Sequence, residues 1–215
     1  MAKDPLLPKI PHSLQLGEID YLKDEQHLFQ LELKDENWVG LDTSQVYFQQ
    51  TLLNKCLFSG SHFTRFECMD VIFNHCDLSN VEWIGGSFHR IIFKNCKLTG
   101  CNFAESTLRD CQFIDCMMDY CSFNYTTMKS VSFQENSLKD SEFSEVTWQH
   151  LFFYKNKLTG STWFQTKLAG LNFSTCTFEQ IILSKELLRG LTVNQEQAIT
   201  IALGFGLLLD EPLSE

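Results

Sequence analysis

The chain has no excess of basic side chains, very little proline, and no apolar run long enough to cross a membrane. Lys and Arg number 17 against 27 Asp and Glu, a formal net charge of −10. Direct nucleic-acid binding normally shows itself as a basic patch or stripe, so no nucleic-acid partner is expected. A spanning helix needs about 20 consecutive apolar residues, and their absence leaves no reason to expect a membrane partner. Three of the four prolines, Pro5, Pro8 and Pro11, lie at the very start and predict an irregular opening segment. No useful apolar stretch follows a basic start, so a signal peptide is not expected either.

Catalytic patterns are missing too. There is no Gly-rich phosphate loop and no Ser, His and Asp set with supporting context. The six histidines, His12, His27, His62, His75, His89 and His150, show no recurring ligand spacing. The expectation is therefore no catalytic residue, no metal, no cofactor and no small-molecule substrate.

What the chain does have is a period. Every fifth residue from Phe48 to Leu183 is apolar except for a thiol at Cys68: fourteen Phe, eight Leu, three Trp, two Met and that Cys. Five fits neither the 3.6-residue helix nor the two-residue strand. It requires a backbone that turns a corner every five residues and points each fifth side chain at one axis. Four sides make a coil of 20 residues, and these 28 positions make seven coils. A period of 20 lies over the period of five. One column reads Phe73, Phe93, Phe113, Phe133, Phe153, Phe173, and another reads Phe63, Trp83, Phe103, Phe123, Phe143, Trp163. The fold class read from this pattern is an all-β solenoid, with coils about 4.8 Å apart and stability that sums over neighbours.

The residue two before each centre is mostly small or β-branched, and eight of the nine cysteines occupy that slot. Cysteines 20 apart would lie about one strand spacing from each other with parallel Cβ vectors, which suits packing better than a disulfide. Reduced, buried thiols in a cytosolic protein are expected. Asn136 and Asn156 share this slot and must bond each other or the backbone. Gly60, Gly85, Gly100, Gly160 and Gly170 sit two after a centre, where a turn favours positive φ.

The ends differ from the body. Three units are expected: a capping segment over 1–45, with Leu33 or Trp38 as its plug, a coiled body over 46–190, and a helix with tail over 191–215. Asn194 is placed to cap a helix reaching about Leu209, with Gln197 as its capping-box partner. Its apolar residues, Ala198, Ile199, Ala202, Leu203, Phe205, Leu207 and Leu208, exceed what one cap needs.

Consecutive units such as Cys96-Lys97-Leu98-Thr99-Gly100 and Cys101-Asn102-Phe103-Ala104-Glu105 resemble those of the pentapeptide repeat proteins. That resemblance implies a right-handed quadrilateral β-helix. Length, an uninterrupted body and the apolar C-terminal helix are similar to the Qnr-type fluoroquinolone resistance proteins of Gram-positive bacteria. The stretch Cys76-Asp77-Leu78-Ser79-Asn80-Val81-Glu82-Trp83 with Gly86-Ser87-Phe88-His89-Arg90 points to enterococcal members. The resemblance implies a cytoplasmic homodimer, joined through the C-terminal helix. It also implies a DNA mimic that binds DNA gyrase and topoisomerase IV and protects them from fluoroquinolones. The alternative is a structural or scaffolding repeat protein with another protein partner.

Charge bears on that choice. The body from Val46 to Lys185 holds 13 acidic and 12 basic side chains, a net of −1. Within it, Glu105, Asp110, Asp115, Asp119, Glu135, Asp140, Glu142 and Glu145 form a mid-rod acidic band, the candidate topoisomerase-binding residues. Lys155, Lys157, Lys167 and Lys185 follow, which departs from a uniformly acidic mimic. The register leaves no room for a projecting loop, so flat faces, corners and ends must serve.

Overall fold

The computed structural model describes residues 4–210, so the first three and last five residues of the terminal segments lie outside it. The chain winds as a β-solenoid with four faces per coil and a C-terminal α-helix. Each coil bonds to the next in parallel, as in Leu78 N to Lys97 O at 2.7 Å and Lys97 N to Cys76 O at 3.0 Å. Two adjacent faces carry eight-residue strands, among them Glu67–Asn74, Ser87–Lys94, Thr107–Ile114 and Thr127–Gln134. The other two faces, centred on the Phe58 and Phe63 columns, pair through single bridges such as Asp77 with Lys97 and Glu82 with Asn102.

The fifth-residue centres are buried throughout except Trp148 and Leu183, which are partly covered. Rings of the Phe73 column from Phe73 to Phe153 stack face to face at 4.8–4.9 Å. Rings of the Phe63 column meet them edge-on, as in Phe103 to Phe113 at 6.0 Å and 85°. Both geometries suit the ring quadrupole. Cys68 is the small centre, and Phe66 two residues earlier fills its space, reaching both Phe48 and Phe88 at 5.8 Å. Gly86 makes room above it, since a Cβ there would lie 2.9 Å from the Phe88 ring.

Every fifth residue from Glu25 to Gln165 has positive φ, glycine or not. The five glycines expected in that conformation adopt it, but they are a minority of the corners. Left-handed backbone costs a non-glycine residue of order 1–3 kcal/mol. The stack offsets it, because each corner N–H donates to the next coil, as Lys55 N does to Asn74 O at 2.9 Å.

The slot two before each centre is small for packing and polar-tipped for hydrogen bonding. Ser106 Oγ donates to Trp83 O at 2.8 Å and accepts from Gly86 N at 3.0 Å. Cys101 and Cys121 donate to the carbonyls of Leu78 and Leu98. All nine thiols are free and buried. Burial pushes those of Cys68, Cys96, Cys111 and Cys121 up, so they remain protonated donors at neutral pH. Asn136 and Asn156 form a ladder: Asn136 Nδ2 donates to Asn156 Oδ1 and to Phe113 O, both at 3.0 Å, and Asn156 Nδ2 donates to Phe133 O at 2.8 Å.

Three features depart from the sequence reading. Coiling begins before Val46, with Leu28, Leu33 and Trp38 facing inward and Gln30 N, Asp35 N and Gly40 N bonding to the coil above. The first buried apolar residue among those described is Leu22, which lies ahead of Leu33 and Trp38 and is as fully buried as they are. At the other end, strand Thr147–Tyr154 has no strand partner above it, although Lys157 and Thr162 still pair with Thr177 and Ile182. At this point Trp148 is only partly covered, and its indole donates to Lys167 O at 2.7 Å. Finally, the helix spans Gln195–Gly204 and stops short of Leu209. Glycine is a poor helix former, and Gly206 takes φ +83°. No helix among the described residues is long and apolar enough to cross a membrane.

Candidate partner-binding face

The Phe63 face gathers acidic side chains and is nearly devoid of basic ones. Its outward and corner positions run from His62 through Glu82, Asn102, Glu105, Ser122, Tyr125, Glu142 and Glu145 to Phe164 and Gln165. Asp140 and Tyr120 stand on its other corner. From the 61–65 unit to the 181–185 unit of this face, the Lys and Arg are Arg65 and Lys185, one at each end. Tyr120 and Tyr125 are 65% and 57% exposed and frame the same coil. Glu142 is held upright by Asn124 Nδ2, and Asn124 Oδ1 accepts from Ser144 N at 2.9 Å. The result is a flat, ordered surface of carboxylates with two phenols, about two coil spacings, or roughly 10 Å, from Glu105 to Glu145.

The eight carboxylates of the acidic band do not share one face. Glu105, Asp140, Glu142 and Glu145 border or occupy the Phe63 face. Asp119 lies on the neighbouring Phe58 face and accepts from Lys139 N at 3.0 Å. Asp115 and Glu135 sit on the opposite corner, where Glu135 pairs with Lys155 at 3.4 Å. Asp110 is 4% exposed and unavailable to a partner. The period of 20 already puts Asp115 with Glu135 and Tyr125 between Glu105 and Glu145; applied to every outward position it separates the sets and adds Tyr120.

Asp110 belongs to a buried charge cluster that sequence reasoning missed. On the corner formed by Gln50, Asp70, Arg90 and Asp110, Arg90 makes two bonds to Asp70, at 2.5 and 2.7 Å. His89 and Arg109 lie 3.8 and 3.6 Å from Asp110. The N-terminal segment runs over this corner: Lys9 N donates to Asp70 at 2.8 Å and Leu6 N to Asp110 at 3.1 Å. Burial alone would raise the Asp70 carboxyl, but the Arg90 guanidinium and the Lys9 N–H outweigh it and hold it below its ordinary range.

The C-terminal helix closes the rod through one side chain. Gln197 is buried and donates to Phe173 O at 2.9 Å and Cys176 O at 2.7 Å. Its oxygen accepts from Asn194 N while Asn194 caps Gln197 N, completing the capping box. Ile201 packs on the core, whereas Ile199, Leu203, Phe205, Leu207 and Leu208 are exposed, Leu208 at 94%. Ala198 is exposed and Ala202 half-buried.

Residues 86–163 match the family model described as a pentapeptide repeat region. The match spans the middle of the coiled body, and the fold is the β-solenoid of such repeats. A comparison with curated proteins finds no match. Among solved structures, a trypsin-treated form of QnrB1, a plasmid-mediated fluoroquinolone resistance protein, is 18% identical, with 92% of this chain and 98% of that chain covered and a TM-score of 0.41. Full-length QnrB1 gives 18% identity, 85% and 91% coverage and a TM-score of 0.31. HetL, a pentapeptide repeat protein involved in heterocyst differentiation regulation from the cyanobacterium Nostoc, gives 11% identity, 80% and 84% coverage and a TM-score of 0.29. None of these likenesses speaks to what this protein binds.

Proposed function

We propose that this protein is a cytoplasmic DNA mimic that binds DNA gyrase and topoisomerase IV and protects them from fluoroquinolones. The observation that carries the reading is the Phe63 face, where Glu82, Glu105, Asp140, Glu142 and Glu145 meet solvent between Arg65 at one end and Lys185 at the other. A basic saddle built for duplex DNA would find there a rigid, carboxylate-bearing edge. Electrostatic complementarity of this kind sets encounter rate and specificity. The sequence resemblance to Qnr-type proteins of Gram-positive bacteria supplies the partner's identity. The exposed apolar residues of the C-terminal helix and tail, from Ala198 to Leu208, supply the homodimer contact in the same reading. Two rods joined tail to tail would double the length of the acidic edge.

The test is a supercoiling assay with purified gyrase and ciprofloxacin, run beside a drug-free series. Restored supercoiling and reduced drug-trapped cleavage are expected, falling with rising salt. The double variant Asp140→Lys with Glu142→Lys should lose most of the protection while keeping its circular dichroism. Absence of protection by the unmodified, folded protein against both gyrase and topoisomerase IV would leave the scaffolding alternative.

A further inference from the structure

The N-terminal segment and the corner it lies on share a spacing that neither needs for the fold. Lys9 N bonds Asp70 and Leu6 N bonds Asp110, so three residues of the segment answer to two coils of the rod. Two coils rise roughly 9.6 Å at the sheet spacing, and three residues of polyproline II rise about 9.3 Å and return to the same side. Pro5, Pro8 and Pro11 repeat at that same interval, each one residue before a position at or continuing this register, and each half-buried against the rod. Proline fixes φ near −65° and carries no N–H that would go unpaired here. Gln50 Nε2 adds a bond to Lys9 O at 3.2 Å. The side chains of Leu6 and Leu7 point to solvent, 47% and 65% exposed, so recognition runs through backbone and proline spacing and leaves the intervening side chains free.

We infer that the Gln50–Asp70–Arg90–Asp110 corner is a peptide-binding groove for extended segments with proline at every third residue, and that residues 4–12 are its resident ligand in cis. The ligand class follows from the geometry: a backbone N–H every third residue to meet a carboxylate every second coil. Arg90 holds both oxygens of Asp70, and Oδ1 accepts from Lys9 N as well, so the acceptor's position is set by the rod and not by the segment. A segment of the same spacing supplied in trans binds whenever the resident one is loosened.

The test uses the full chain. Pro5→Gly, Pro8→Gly and Pro11→Gly together remove the pre-set φ values and should loosen the resident segment by about tenfold to a hundredfold. Residue-resolved amide exchange reports that loosening at Leu6 and Lys9. A labelled synthetic peptide of residues 4–13 is then titrated into both proteins. The expected result is saturable binding to the triple variant, at least about tenfold tighter than to the unmodified protein, whose own segment competes at millimolar effective concentration. The same peptide N-methylated at Leu6 and Lys9 should not bind. The inference is overturned if the N-methylated peptide binds equally, or if the two proteins bind the peptide alike. It is also overturned if the variant's Leu6 and Lys9 amides stay protected, or if they exchange freely and the peptide still fails to bind.

Discussion

Replacing Asn136 separates the two jobs of the slot before each centre. The amide donates to Phe113 O and Asn156 Oδ1, and its oxygen accepts from Cys116 N at 2.8 Å. Asn136→Ala removes all three bonds in a fully dry site and strands Phe113 O and Cys116 N. Each stranded buried group costs about 1–3 kcal/mol, which sets the loss at about 2–5 kcal/mol after partial relaxation. Asn136→Cys keeps a donor in the same column, where the Cys116 thiol already reaches Phe93 O at 3.5 Å. Asn156 Oδ1 would retain the Asn136 backbone N–H at 2.9 Å. The cysteine variant satisfies Phe113 O but still strands Cys116 N, so it should lose about 1–3 kcal/mol, less than the alanine variant. The assay is urea unfolding followed by circular dichroism and by tryptophan fluorescence. Two probes are needed because a stack of coils need not unfold in one step. Equal destabilisation by Ala and Cys, within about 0.5 kcal/mol, would refute the polar-tip account and leave side-chain volume as the sole requirement.

Trp83 Nε1 is buried without a partner, whereas Trp163 Nε1 donates to Ser161 Oγ at 3.0 Å. Val81 occupies the place equivalent to Ser161, so Val81→Ser should be about 1–2 kcal/mol more stable than Val81→Ala, measured by the same unfolding curves. The nine thiols should resist Ellman's reagent in the native protein and all react after denaturation; rapid native labelling would contradict their dry packing. The depressed Asp70 carboxyl contributes stability that is fully present above its unfolded value near 3.9. That contribution is lost as pH falls through the lower folded value. Asp70→Asn should flatten the acid limb of a stability-against-pH curve relative to the unmodified protein, and an unchanged limb would remove Asp70 from the acid response.

The solenoid was legible because its rule is short-range and repeated: one apolar centre every five residues, with columns every 20. The positive φ at Arg90, Tyr120 or Lys155 was not legible, because those residue types carry no left-handed signal and the stack imposes the conformation. The opening at Trp148 was hidden for a related reason. Trp83, Trp148 and Trp163 all occupy centres; Trp83 and Trp163 stay inside, while Trp148 is partly exposed and bonds Lys167 O, a difference with no local sequence mark. Sequence placed the carboxylates in a band along the chain, and winding the chain distributed them around the rod. Contacts such as Leu6 with Asp110, separated by 104 residues, have no local signature at all.

The hydrogen bonds joining coils lie along the long axis, since each links a residue to one about 20 positions away in the next coil. A force applied to the two ends therefore loads those bonds in line and one coil at a time, as a zipper is opened, instead of shearing a whole sheet at once. Each event would release 20 residues, about 70 Å of contour length. The rod is stiff when compressed or bent and weak when drawn out. Held in tension by its termini, it would give way in equal steps from whichever end opens first.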